Sequence, residues 1–150
     1  MAKKTYIKGL DKLVKDLKAL GAEGVDRIAD TTEVTARDMA LHAANTARKI
    51  AFDNGDLVQG IGPVKRSDLH WSVLANKNNI APYSAYVEFG TGGRVSVPKE
   101  LKDVAIKFIG KGVKEVNIKP RPFLYPALLQ GRIDYIKALK QDLKDLTKNI

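Results

Sequence analysis

Leu10, Leu13, Val14, Leu17 and Leu20 recur at three- and four-residue intervals with lysine and aspartate between them, the period of one helix face. This predicts a short amphipathic N-terminal helix, introduced by Ile7-Lys8-Gly9 and closed by Gly21 as its C-terminal cap. A second, longer helix is predicted from Glu23 to Phe52. Its inner face reads Val25, Ile28, Thr32, Ala36, Met39, Ala40, Ala43, Ala47 and Ile50. Alanine favours the helix and lets a neighbour approach closely. A helix of this length would run about 45 Å, long for so small a chain, and suggests a spine on which a sheet is laid.

Asp53-Asn54-Gly55-Asp56 supplies the residue types best suited to a turn. Leu57 to Val64 is then read as a strand stopped by Pro63. After the polar turn Lys65-Arg66-Ser67-Asp68, the run Leu69 to Ala75 alternates, with Leu69, Trp71, Val73 and Ala75 on one face. The two runs predict an antiparallel hairpin. Asn76-Lys77-Asn78-Asn79 turns the chain into Ala81-Pro82-Tyr83-Ser84-Ala85-Tyr86-Val87-Glu88-Phe89, read as a third, aromatic-rich strand or turn, before Gly90-Thr91-Gly92-Gly93 breaks it. A long helix followed by consecutive strands argues for an α+β fold, with an antiparallel sheet packed on the long helix.

Beyond Gly93, a short helix starting near Pro98 and presenting Leu101, Val104, Ala105 and Phe108, then a strand from Val113 to Ile118, are the expected elements. Residues 90 to 117 read equally as a glycine-hinged loop. Lys119-Pro120-Arg121-Pro122-Phe123-Leu124-Tyr125-Pro126 is held extended by its prolines, and Pro126 suits the first turn of a final helix. Leu129, Ile133, Ile136, Leu139, Leu143 and Leu146 form that helix's expected apolar stripe. Arg121, fixed between two prolines, presents its guanidinium at low entropic cost, and Glu88 is its candidate carboxylate partner.

The chain has 150 residues, the size of one domain, and a formal net charge of +9. Its lysines alternate with aspartates on the terminal helix patterns, which is the arrangement of solvated faces. Weak attraction to polyanions follows, and a basic nucleic-acid-binding module is the alternative reading. There is no cysteine, hence no thiolate site or disulfide. No apolar run is long enough to cross a bilayer and no signal core follows Met1, so an intracellular product is expected. The two histidines, His42 and His70, fall in different elements. Metal-ligand spacing, a phosphate loop and a nucleophile elbow are absent, so no enzyme, cofactor or metal is expected.

Two segments are more specific: Tyr83-Ser84-Ala85-Tyr86-Val87-Glu88-Phe89-Gly90-Thr91 and Arg121-Pro122-Phe123-Leu124-Tyr125-Pro126-Ala127-Leu128. With the Ile7-Lys8-Gly9-Leu10 opening, the alanine-rich helix and the turn Asn54-Gly55-Asp56-Leu57, they make the chain resemble the neck or tail-completion family of long-tailed bacteriophages. Asparagine stands where that family usually has threonine in the turn, and its usual preceding proline is replaced by Ala51-Phe52. The resemblance implies a virion structural protein at the head–tail junction, made in the host cytoplasm. It would form a hexameric ring joining the head connector to tail-tube or tail-terminator proteins. Contact with DNA would be weak and non-specific. The implied interface and structural residues are Asn54, Gly55, Leu57, Tyr83, Tyr86, Glu88, Phe89, Gly90, Thr91, Arg121, Pro122, Phe123 and Pro126. The leucine stripe of the first helix and the aromatic segment are the candidate contact patches.

Overall fold

Helix α1 spans Ala22–Ile50, and its 29 residues make a rod about 43 Å long. Gly21, at φ +95°, precedes it. Glu23 lies in its first turn and Arg48 and Lys49 in its last, each sign matched to the helix dipole. The structure, a computed structural model, describes Val14 and residues 21–50, 55–105 and 117–148. The expected N-terminal helix therefore lies outside the described residues apart from Val14, which is helical. Asn54 and the segment from Ile106 to Val116 lie outside them too.

After α1 come α2 (Gly55–Gly60), the strands β1 (Gly62–Ser67) and β2 (His70–Leu74), and α3 (Ser84–Phe89). Three-residue 3-10 turns at Lys77–Asn79, Gly92–Arg94 and Lys99–Leu101 link these to α4 (Lys102–Ala105) and α5 (Leu124–Thr147). The strands form an antiparallel hairpin pairing Gly62 with Leu74, Val64 with Ser72 and Lys65 with Trp71, with a bulge between Lys65 and Ser67. The hairpin lies against α1, and the Arg37 guanidinium sits 5.9 Å from the centre of the Trp71 ring. The fold is thus α+β, an antiparallel sheet packed on a long helix, as the sequence pattern predicts. None of the described helices is long and apolar enough to cross a membrane.

The sheet is smaller than expected. Leu57 to Gly60 is helical, and strand pairing starts only at Gly62. Leu57, 1 % exposed, is plugged into the core from that short helix. The aromatic segment is likewise a helix, α3, where the pattern predicts a strand or turn. Of its four buried positions, Ala81, Ser84 and Glu88 are three and four apart with Phe89 beside them, a helical interval that aromatic and β-branched neighbours disguise as strand. Residues 99–105 form the expected helix start near Pro98 as a 3-10 turn running into α4.

Helices α1 and α5 run antiparallel. Ala43 and Ala47, late in α1, cluster with Phe123 and Ala127 at the start of α5; Ile28, early in α1, clusters with Tyr135, Leu139 and Leu146. The buried side of α5 is Ala127, Gly131, Tyr135, Leu139 and Leu146, so the expected stripe is only partly right. Leu129, Ile133 and Ile136 face outward. The reason is the close approach that the alanine face of α1 allows: a Cβ added at Gly131 would land on the Met39 side chain. A larger residue is excluded at Gly131. Two hydroxyl contacts fix the helices in register. Thr31 Oγ1 donates to Asp142 Oδ2 at 2.6 Å. Thr32 Oγ1 lies 2.6 Å from the Ile28 carbonyl and 2.8 Å from Tyr135 Oη. Since Thr32 gives its proton to the carbonyl, Tyr135 is the donor in the second bond.

Candidate functional site: the start of the last helix

Helix α5 opens without a cap of its own. Its N-cap residue, Phe123, has no side chain able to accept a hydrogen bond. The four N-terminal positions of a helix leave their backbone N–H groups without intrahelical acceptors. Here those positions are Phe123, Leu124, Tyr125 and Pro126. Glu88, only 6 % exposed, takes three of them. Its Oε2 accepts from Phe123 N at 2.8 Å and Leu124 N at 2.9 Å, and its Oε1 accepts from Tyr125 N at 2.9 Å. The fourth position is Pro126, which has no N–H. Every donor at the helix start is accounted for.

Three bonds thus converge on one carboxylate at the positive end of the helix dipole, an arrangement that suits an acceptor-only side chain. One turn of α3 puts Ser84 and Glu88 on the same inward side, while Phe89 is buried beside them. Gly90 then ends α3 at φ +78°, with its N–H bonded to the Tyr86 carbonyl at 2.9 Å. A Cβ there would stand 2.7 Å from the Ile118 carbonyl oxygen and 2.9 Å from Pro120 Cδ. Only glycine fits.

The two chain segments are laced together around this contact. Arg121 N donates to the Val87 carbonyl at 2.8 Å, and Thr91 N to the Ile118 carbonyl at 3.0 Å. Ile118 N returns a bond to Thr91 Oγ1 at 2.9 Å, and Gly93 N donates to Asn117 Oδ1 at 2.9 Å. Tyr125 Oη donates to Glu100 Oε2 at 3.1 Å, fastening the 3-10 turn to the helix start. The Glu100 carboxyl is held below its ordinary value by its own backbone N–H and then by the Tyr125 hydroxyl.

The expected Glu88–Arg121 pair gives way to two helix caps. Glu88 closes the N-terminus of α5, while Arg121 Nη1 donates at 3.0 Å to the carbonyl of Ile50, the last residue of α1. Each charge thus meets the helix end of opposite polarity. Of the other sequence-predicted residues, Leu57 and Phe123 lie in the core cluster, with Tyr83 packed against it. Phe89 and Thr91 are buried, Tyr86 and Pro126 half-buried, and Gly55 and Pro122 exposed. Gly131, Thr31 and Tyr135 belong to no motif, although a glycine inside a sustained helical pattern is itself a signal of close approach.

No protein-family model matches the chain, nor does any curated protein or solved structure.

Proposed function

We propose that this chain is a structural subunit of the bacteriophage head–tail junction, a neck or tail-completion protein that acts through its surfaces. The observation that supports this reading is the Glu88 cap. The two segments behind the family resemblance, one ending in Glu88-Phe89-Gly90-Thr91 and the other starting at Arg121-Pro122-Phe123, form one bonded unit. Residues of a motif that hold helix ends together are what an assembly subunit needs, because its partners read the relative placement of rigid surfaces. On this reading the subunits form a ring, hexameric in the virion, between the head connector and the tail-tube or tail-terminator proteins. A ring requires two different patches on each copy. DNA passing through it would meet the chain's net charge of +9 by weak, sequence-independent attraction.

The test is deletion of the gene from the genome that encodes it, followed by electron microscopy of the particles released. Filled heads and free tails that fail to join are expected. Joined, infectious particles that lack the chain would refute the role.

A further inference from the structure

Among the described residues, two unlike apolar surfaces of the α1–α5 pair are exposed. The first is a groove between the helices, with a cavity volume of about 460 Å³. Small residues, Ala127, Gly131 and Ala138, line its α5 side. Asp30, Asp38 and Asp134 bring carboxylates to it, and no lysine or arginine is among its described lining residues, in a chain of net charge +9. Val34, also in the lining, is 56 % exposed, and Leu41, two turns along the same side of α1, is 57 % exposed.

The second surface is the outward stripe of α5. Leu129, Ile133 and Ile136 follow one another at four- and three-residue steps and are 46 %, 50 % and 37 % exposed. Arg132, Lys137 and Lys140, all exposed, flank them. At 3.6 residues per turn this stripe lies roughly 130° around α5 from the groove-lining Gln130, Asp134 and Ala138. They are separate faces of one helix.

We propose that the basic-rimmed stripe of one copy docks into the acidic groove of the next, so that copies join head to tail. Leu129, Ile133 and Ile136 are the knobs, and the groove of about 460 Å³ between the helices leaves room for them. The stripe covers about 10 Å of helix and the groove about 18 Å, so the one fits along the other. Charge selects the pairing. Stripe on stripe would oppose arginine and lysine with their own kind, and groove on groove would gather the aspartates of both copies. Stripe on groove matches opposite signs around an apolar centre, and exposed apolar patches of this kind mark interaction sites. Because the two faces differ, each docking leaves one of each kind open, and the contact propagates until rotation closes a ring. This deepens, and rests on, the reading of the chain as a ring subunit.

The chain contains no cysteine, so introduced thiols report without background. Asp38→Cys and Ile133→Cys both fall on exposed positions of helices and are checked for folding by circular dichroism. With a short bismaleimide, the double variant is expected to give a ladder of multimers, and a mixture of the two single variants a dimer band. Each single variant alone is expected to give neither. A dimer from Ile133→Cys alone would mean stripe-on-stripe contact and overturn the proposal, as would folded variants that never cross-link. Charge exchange is the second arm. Placed in the double-cysteine background, Asp134→Lys should abolish the ladder, and adding Lys137→Glu and Lys140→Glu should restore it. Failure of that rescue also overturns the proposal. Cross-linking in solution reads the contact and the gene deletion reads the role, so either can fail alone.

Discussion

The Glu88 carboxylate and the backbone N–H of Phe123 meet at 2.8 Å across 35 residues of sequence, inside the protein. A side chain from one helix thereby completes the backbone of another. Removing it strands the donors of Phe123, Leu124 and Tyr125, the first buried and the other two half-buried.

Glu88→Ala should therefore destabilise the fold by about 3–5 kcal/mol, from three stranded donors at about 1–3 kcal/mol each with partial rescue by water. In a chain of this length that lowers Tm by roughly 10 °C. Glu88→Gln keeps the shape but turns an amide N–H₂ toward a backbone N–H, and a loss of about 2 kcal/mol is expected. Calorimetry on the three proteins checks both. A Glu88→Ala variant as stable as its parent would show that the cap is not the fastening described.

Gly90 and Gly93 offer a paired comparison within one loop. Gly90→Ala forces a side chain into φ +78° and against the Ile118 carbonyl, and about 2–4 kcal/mol of destabilisation is expected. At Gly93 an added Cβ meets nothing closer than 3.9 Å, so Gly93→Ala should stay within about 0.5 kcal/mol of the parent. Urea midpoints of the two variants decide it.

Gly131 and Met39 should be coupled. Gly131→Ala gains helix propensity of up to about 1 kcal/mol but drives a methyl into the Met39 side chain. Combined with Met39→Ala, the added methyl should become neutral or favourable. A double-mutant cycle should return an interaction energy of about 1–3 kcal/mol. A value near zero would mean the helices simply slide apart to make room.

Burial pushes the Tyr135 hydroxyl above its ordinary value of 10.0. Because the folded value is the higher one, the tyrosine's contribution is complete below about pH 10 and is lost as pH rises through the folded value. Tyr135→Phe gives up the Thr32 bond, about 1 kcal/mol at neutral pH. The stability gap between parent and variant should then narrow in alkali, measured as urea midpoints from about pH 8 to about pH 11.

The long helices are legible because leucine and alanine repeat at helical spacing over many turns, and no single local feature outweighs so many repeats. Alternation around Trp71 and Val73 likewise places the second strand. Two short helices are missed. Val58 and Val87 read as strand residues, yet each sits in a six-residue helix fixed by what surrounds it: Leu57 inserted in the core, Glu88 turned toward α5. The partnership of the two specific segments is visible in the sequence, but its atoms are not. Reading side chain against side chain pairs Arg121 with Glu88, whereas the true partners of the acid are backbone groups that have no letter in a sequence. The clue is an omission: a helix beginning at Phe123-Leu124-Tyr125-Pro126 offers no Ser, Thr, Asp or Asn to cap it, and so must borrow an acceptor from elsewhere. On α5, Leu129, Ile133 and Ile136 point to the wrong face, because the close contact with α1 at Gly131 admits no side chain there, while Leu139 and Leu146 are read correctly as core.

The borrowed cap also sets an order of events during translation. A ribosome builds Glu88 well before Phe123, so the acceptor is already synthesised when the final helix emerges. What the earlier part of the chain lacks is its closing piece: until the last segment arrives, the Glu88 carboxylate has none of the three backbone donors that meet it in the folded protein.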